Sequence, residues 1–110
     1  MTEIEKLRRE IDSIDEEIAR SLRRRVEVAR TMGGMKEGAV YDPVREFALM
    51  ERLRNLCPDI DAKALDAIYR EVISLCRAVQ RRLRAACMGP AGSFSQEATI
   101  KALGSHIDVV

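Results

Sequence analysis

One long amphipathic pattern near the amino terminus constrains the fold more than any other feature of the sequence. From Ile4 to Lys36, apolar residues recur in alternating steps of three and four, which places them on one face of an α-helix. These residues are Ile4, Leu7, Ile11, Ile14, Ile18, Leu22, Ala29 and Met32. Such a helix is roughly 50 Å long, whereas a compact chain of this size has a radius of gyration of about 13 Å. We therefore expect a second copy of the chain to cover this apolar stripe.

Basic side chains interrupt the same face. Arg25 and Lys36 fall on the stripe itself, and Arg8 lies at its edge. A buried ion without compensation is costly, so these cations need partners or a ligand. Two interpretations follow from the pattern. Either an intertwined helical dimer turns basic residues of both chains toward one cavity, or the chain is a helical hairpin whose Arg and Lys stems lie along the core while their charged ends reach water.

Start and stop signals predict two further helices. Asp42 is suited to the N-cap of the second helix, and Pro43 to its first position. Asp59 or Asp61 can cap the third. The predicted fold class is therefore all-α, with helices over residues 2–37, 43–56 and 62–86 assembled as an intertwined homodimer.

A pair of glycines lies near the end of the first predicted helix. Gly33 and Gly34 each weaken a helix by up to about 1 kcal/mol relative to Ala. We expect the helix to continue to Lys36, with a break at Gly33 as the alternative. The glycines either belong to a frayed helix end or leave room for a ligand.

Composition excludes several classes of partner. The 110 residues carry a net charge of +1, which gives no general attraction to nucleic acid or to anionic membranes. No apolar run reaches the roughly 18 residues of a membrane-spanning helix. The cysteines are odd in number and widely spaced, at Cys57, Cys76 and Cys87, which favours reduced thiols and a cytoplasmic protein. We expect no metal site and no cofactor.

The order and spacing of five elements resemble the all-helical type of chorismate mutase over residues 4–85. The first element is the pattern LR-x-x-I-D-x-I-D at residues 7–15, which contains Arg8. An Arg before an apolar stretch, a Lys eleven residues later, D-x-x-R-E at the start of helix two, and a Gln late in helix three complete the set. The matching residues are Arg25, Lys36, Asp42, Arg45, Glu46 and Gln80.

This resemblance implies an activity, the Claisen rearrangement of chorismate to prephenate, in a homodimer wrapped about the first helix. A pericyclic reaction needs a dicarboxylate held in its reactive conformer and donors for charge on the breaking ether oxygen. By resemblance, Arg8 reaches into the partner's site, while Arg25 and Arg45 stay within their own. These three hold the carboxylates with help from Lys36, and Lys36 and Gln80 meet the ether oxygen.

The resemblance also assigns roles to the remaining positions. Glu46, with Asp42 or its backbone, accepts a hydrogen bond from the ring hydroxyl. On the residues alone, Asp42 is fully explained as an N-cap. Cys76 stands where family members often carry a Ser that helps bind a carboxylate, and a thiol is a weaker donor. Cys76 is therefore a possible further contact to substrate.

The segment after the third helix has a different composition. Residues 88–98, MGPAGSFSQEA, resemble the opening of a prephenate dehydratase domain, as in proteins that fuse the two activities. We expect a mutase domain over 1–86, then a truncated dehydratase-like start over 87–110 without dehydratase activity. Ser93 and Gln96 suit a capping box for a short helix that ends before Gly104, and residues 107–110 suit a strand without a partner.

Two other classes of function compete with a mutase. The chain could be a non-catalytic dimerisation or metabolite-binding regulatory module of a fused aromatic-pathway enzyme. A pure dimerisation helix, however, would carry Leu or Ile at positions 25 and 36. A nucleic-acid-binding coiled coil is disfavoured by the near-zero net charge and the lack of a basic face.

Overall fold

Four helices dominate the computed structural model, which describes residues 1–35, 42–80, 83–85 and 94–109. In chain order the elements are α1 (Glu3–Met35), α2 (Pro43–Leu56), α3 (Ala62–Gln80), β1 (Leu83–Ala85), α4 (Phe94–Leu103) and β2 (Ile107–Val109). The predicted all-α class is confirmed. The count is four helices instead of the three of the predicted fold class, because the short helix expected in the tail is α4. The proposed division at residues 86 and 87 stays a prediction.

Side-chain caps fix where the first three helices begin. The Glu5 amide donates to Thr2 Oγ1 (3.1 Å), and the Thr2 amide donates back to the Glu5 carboxylate (3.3 Å), which is a reciprocal capping box. Asp42 accepts from the Arg45 amide at 3.1 Å, as predicted for the N-cap of α2. Asp61 accepts from the Ala64 amide at 3.1 Å, so Asp61 rather than Asp59 caps α3.

Helix α1 continues without a break through both glycines to Met35. Gly33 faces α3 so closely that a Cβ atom built on it would lie 2.8 Å from the Cα atom of Gln80, whereas nothing lies within 4 Å of a Cβ atom on Gly34. Gly33 therefore permits a close approach of two helices. Neither of the two roles predicted for it, a frayed helix end or room for a ligand, matches this contact. Lys36 lies outside the described residues, as do Cys87 and Ser93.

The core of a single chain is small. Met50 of α2 and Leu65, Ile73 and Cys76 of α3 are buried, and Ala29 is the one buried residue that α1 contributes among those described. The amino-terminal half of α1 extends beyond this core, so its apolar stripe is exposed. Its side chains at Ile4, Leu7, Ile11, Ile14 and Ile18 are between 47% and 61% exposed. The radius of gyration is 16.8 Å, above the roughly 13 Å of a compact chain of this length.

The tail folds back onto α3. Strand β1 pairs in parallel with β2, with Leu83 opposite Ile107, and α4 forms the connection between them. Gly104 ends α4 with a φ of +83°, a left-handed conformation that suits glycine. The amide of Ser105 donates to Glu71 Oε1 at 2.9 Å, and the amide of His106 donates to Ser74 Oγ at 2.8 Å.

Two predictions about this region are wrong. The third helix was expected to reach residue 86, but α3 ends at Gln80 and residues 83–85 are extended. The closing strand was expected to lack a partner, but Ile107–Val109 pairs with β1. Both errors have one cause, because a helix-favouring local sequence yields to backbone pairing with a segment more than 20 residues away.

None of the helices described is both long and apolar enough to cross a membrane.

Candidate active site

A cleft opens where the carboxyl-terminal half of α1, the start of α2 and the end of α3 meet. Its volume is about 310 Å³, at the lower end of the range for small-molecule sites. Val28, Met32, Leu49 and Ile73 supply apolar walls. The polar lining consists of Arg25, Asp42, Arg45, Glu46, Arg52, Arg77 and Gln80, together with the thiol of Cys76.

Six of the eight residues predicted for the site line this one cleft. They are Arg25, Asp42, Arg45, Glu46, Cys76 and Gln80. Arg8 does not, because it lies 17 positions before Arg25 on the same straight helix, which is a distance of roughly 25 Å. Lys36 is outside the described residues. The roles assigned to all eight residues stay predictions.

Helical spacing explains how α1 presents Arg25 to the cleft. Arg25 precedes the buried Ala29 by four residues, so both project from the face of α1 that packs on α3. Arg25 is half-buried and lines the cleft, and Met32, about two turns further along α1, adds an apolar contact. The cation that interrupted the stripe therefore lies beside a cavity instead of inside the core.

The first turn of α2 supplies three polar residues through one local motif. Asp42 caps the helix, and Arg45 and Glu46 follow within one turn on the side facing the cleft. One oxygen of Asp42 is used in the cap, and an ionised carboxylate has further acceptor positions. The D-x-x-R-E spacing thus combines a helix start with the presentation of both charges.

Glu46 and Arg77 form a buried ion pair at the cleft wall. Arg77 Nε lies 3.2 Å from Glu46 Oε2, and the two residues are only 3% and 9% exposed. Burial raises the pKa of the Glu46 carboxyl above its ordinary value, and the charges of Arg77 and Arg70 offset part of that rise, while Asp42 adds to it. The site therefore holds a carboxylate with an elevated affinity for protons.

Gln80 offers a neutral donor near the end of α3. Its Nε2 donates to the carbonyl of Cys76 at 3.2 Å, and an amide nitrogen of this kind has a second N–H. Among the described residues, its Oε1 is buried without a hydrogen-bond partner. Cys76 itself is 4% exposed, so its thiol lies at the bottom of the cleft wall and not at the mouth.

Two arginines of the cleft were missed by the sequence reasoning. Arg77 was not singled out from the sequence, and it follows Ile73 by four residues on a face of α3 that the structure shows to be buried. Arg52 follows Arg45 by seven residues, so the two lie on one face of α2. Arg52 is exposed and also lines a second, adjoining hollow at the start of α2.

The charges of the described lining favour an anion. Arg25, Arg45, Arg52 and Arg77 outnumber the two carboxylates, leaving an excess of two positive charges in a partly enclosed space. The planar guanidinium group can bind a carboxylate through two parallel hydrogen bonds. Across the residues that the structure describes, no group of His, Cys, Asp and Glu side chains is placed to hold a metal ion.

Comparisons with known proteins agree with this geometry. The chain is 43% identical over 102 residues to a bifunctional chorismate mutase/prephenate dehydratase of Neisseria gonorrhoeae, and 35% identical over 112 residues to the protein of that description in Aquifex aeolicus. These alignments cover 88% and 94% of this chain but only 27% and 31% of the relatives. No solved structure gives a significant match.

The family comparison covers the three helices that build the cleft. The family model of chorismate mutase type II matches residues 7–81, from the first turns of α1 past the end of α3. That range includes every residue of the cleft lining. The chain therefore belongs to the chorismate mutase type II family.

Proposed function

We propose that the cleft catalyses the rearrangement of chorismate to prephenate. The observation that carries this proposal is the meeting of Arg25, Arg45 and Gln80 in one cleft of a chain that belongs to the chorismate mutase family. The reaction is an isomerisation in which one C–O bond breaks while one C–C bond forms. No proton leaves or enters, so the protein has to supply conformational selection and electrostatic stabilisation.

The arginines act on the substrate carboxylates. Arg25 from α1 and Arg45 from α2 approach the cleft from two helices, so together they can hold the two carboxylates of a compact conformer. Holding the reacting ends of a molecule together in this way removes part of the entropic barrier. At position 76, the thiol of Cys76 is a weak donor to one carboxylate, and a hydroxyl at this position would be a stronger one.

The donors near the ether oxygen act in the transition state. The second N–H of Gln80 and the ammonium of Lys36 supply hydrogen bonds to the oxygen on which negative charge develops. Glu46, with Asp42 or its backbone, accepts from the ring hydroxyl and so fixes the orientation of the ring. Because only the ionised form of Glu46 is purely an acceptor, the raised pKa of Glu46 makes this contact sensitive to acid.

A homodimer completes each site in this proposal. The exposed stripe on α1 supports an antiparallel pairing of two copies of this helix. A two-fold axis that crosses α1 near residue 16, midway between positions 8 and 25, brings Arg8 of each chain beside the partner's Arg25. Because Arg8 and Arg25 of one chain are too far apart to share a site, a second chain is needed to bring two such arginines together.

Reduced thiols support a cytoplasmic location within the same proposal. Cys57 and Cys76 are both free, and Cys76 is buried.

The direct test follows chorismate consumption by ultraviolet absorbance for the wild type and for Arg25→Ala and Lys36→Ala. We expect saturable turnover in the wild type and a loss of at least about 100-fold in kcat/KM in both variants, since each removes a charged contact that strengthens in the transition state. Arg23→Ala is the matched control, because Arg23 is an exposed arginine of α1, with 77% of its side chain accessible, that lies outside the cleft.

The outcomes separate the two classes of function. Turnover that is lost in the two cleft variants and kept in Arg23→Ala supports the mutase. A folded, dimeric wild type without turnover contradicts it and leaves the non-catalytic dimerisation or metabolite-binding module. Prephenate dehydration is not part of the proposal, because the chain spans less than a third of the bifunctional relatives.

A further inference from the structure

Arg77 connects the cleft to the tail of the chain. Its Nε lies 3.2 Å from Glu46 Oε2 on the side of the cleft, and one terminal nitrogen donates to the carbonyl oxygen of Leu103 at 3.0 Å on the other side. Leu103 is the last residue of α4, which follows α3 by more than a dozen residues. Arg77 is 3% exposed, so these contacts are made away from solvent.

Both contacts favour a charged arginine in a fixed orientation. The last carbonyl groups of a helix have no partner within the helix and carry its negative partial charge. Leu103 therefore offers Arg77 an acceptor that is both unsatisfied and electrostatically favourable. The other side of the guanidinium lies against Glu46 as an ion pair, with Nε 3.2 Å from Oε2. Glu46 lies on a different helix from both groups, so the contact fixes α2 relative to the tail.

We propose that Arg77 is a positioning residue of the mutase site, which orients Glu46 toward substrate, and that the carboxyl end of α4 holds Arg77 in that position. This inference rests on the proposed function, since it assigns a role through Glu46. The segment after the three mutase helices then supports catalysis without touching substrate.

The packing of the end of α4 against α3 depends on one glycine. A Cβ atom built on Gly104 would clash with the Cβ atom of Ser74 and would lie 2.7 Å from the carbonyl oxygen of Arg70. The backbone there also has a φ of +83°, which an L-residue with a side chain adopts only with strain. The contacts of Ser105 with Glu71 and of His106 with Ser74 anchor the same turn. Any side chain at position 104 therefore displaces the end of α4, including the Leu103 carbonyl.

Removal of Arg77 has a predictable effect on proton affinity. Arg77 and Arg70 from α3 oppose the effect of burial on Glu46, whereas Asp42 of α2 adds to it. Arg45 of α2 and Arg25 of α1 line the same cleft. With Arg77 replaced by a neutral residue, the pKa of Glu46 rises further, so a higher pH is needed to keep the acceptor ionised.

The experiment measures kcat/KM for chorismate against pH in Arg77→Gln, Glu46→Gln and the double variant. In the wild type, kcat/KM should fall at low pH as Glu46 is protonated, and this part of the profile is the acidic limb. In Arg77→Gln we expect the acidic limb to move to higher pH. At a fixed pH on the limb, kcat/KM should then be lower than in the wild type by about tenfold or more. Arg77→Lys keeps the charge but not the two-sided fork, so it should recover the position of the limb better than Gln does. In the Glu46→Gln background, which lacks the limb, Arg77→Gln should change kcat/KM by less than about twofold.

The contribution of α4 is tested with Gly104→Ala beside Gly34→Ala. Gly104→Ala should move the acidic limb in the same direction as Arg77→Gln. Gly34→Ala adds the same methyl group where nothing lies within 4 Å, so it should leave the limb in place. An unmoved limb in Arg77→Gln, or losses that multiply in the double variant, would overturn the role of Arg77. An unmoved limb in Gly104→Ala would overturn the role of α4. An inactive wild type contradicts the proposed function instead.

Discussion

Gly33→Ala should damage catalysis through a steric effect on Gln80. The added Cβ atom would lie 2.8, 3.0 and 3.1 Å from the Cα, Cβ and Cγ atoms of Gln80. Carbon atoms in ordinary contact are about 3.5–4.0 Å apart, so α1 and α3 must separate by about 1 Å at this crossing. The backbone of Gln80 is part of the contact, which means that a side-chain rotation alone does not relieve it.

The expected magnitudes follow from these distances. Overpacking of this kind costs about 1–3 kcal/mol, and replacing a helical glycine by alanine recovers up to about 1 kcal/mol. The free energy of unfolding should therefore fall by roughly 0–3 kcal/mol. A displacement of about 1 Å in a catalytic group can cost about 100-fold in rate, so kcat should fall by about 10- to 100-fold. KM should change less, because the proposed contact of Gln80 with the ether oxygen strengthens in the transition state.

The assay combines steady-state kinetics on chorismate with urea denaturation of the same preparations. Gly34→Ala is the matched control, since it lies one residue further along α1 in open space. It should keep the wild-type kcat and raise the free energy of unfolding by up to about 1 kcal/mol. Equal kcat values in Gly33→Ala and Gly34→Ala would refute the argument that close approach at Gly33 positions Gln80.

Three further predictions concern other parts of the site. Cys76→Ser replaces a weak donor by a hydroxyl, so KM for chorismate should fall by up to about tenfold while kcat changes little; an unchanged or higher KM would remove Cys76 from the substrate contacts. The inactive variants Arg8→Ala and Arg25→Ala, mixed in equal amounts, should recover about a quarter of wild-type activity after subunit exchange. Half of the dimers then contain one chain of each variant, and one of the two sites in each such dimer has both arginines; no recovery would contradict a shared site. Asp42→Ala should lower the free energy of unfolding, measured by urea denaturation, by about 1 kcal/mol through loss of the cap, whereas Asp42→Asn should keep the wild-type value. Similar losses in both variants would assign the effect to the charge of Asp42 instead of its cap.

The parts of the fold that the sequence predicted well depend on local chemistry. Helix α2 has its predicted bounds, because an Asp-Pro start and a proline after its end act on the residues beside them. These signals need no knowledge of what lies across the fold. The convergence of Arg25, Arg45 and Gln80 was expected from the resemblance to the chorismate mutase family, whereas periodicity singled out only Arg25 of these three.

The features that were missed depend on distant partners. Residues 83–85 become a strand only because residues 107–109 pair with them. Arg77 is distinguished from the neighbouring basic residues by Glu46, which is 31 positions away, and by the carbonyl of Leu103. Gly33 acquires its role from the backbone of another helix. Periodicity along one element identifies a face but not what that face meets.

The exposed stripe on α1 has a consequence for how stability depends on protein concentration. Complete burial of an Ile or Leu side chain contributes about 1.5–3 kcal/mol, so covering the five half-exposed residues of the stripe contributes on the order of 5 kcal/mol for each chain. That amount is comparable to the whole net stability of a small domain. In the proposed homodimer, folding and dimerisation should therefore form one equilibrium, in which dilution lowers the melting temperature and the specific activity together.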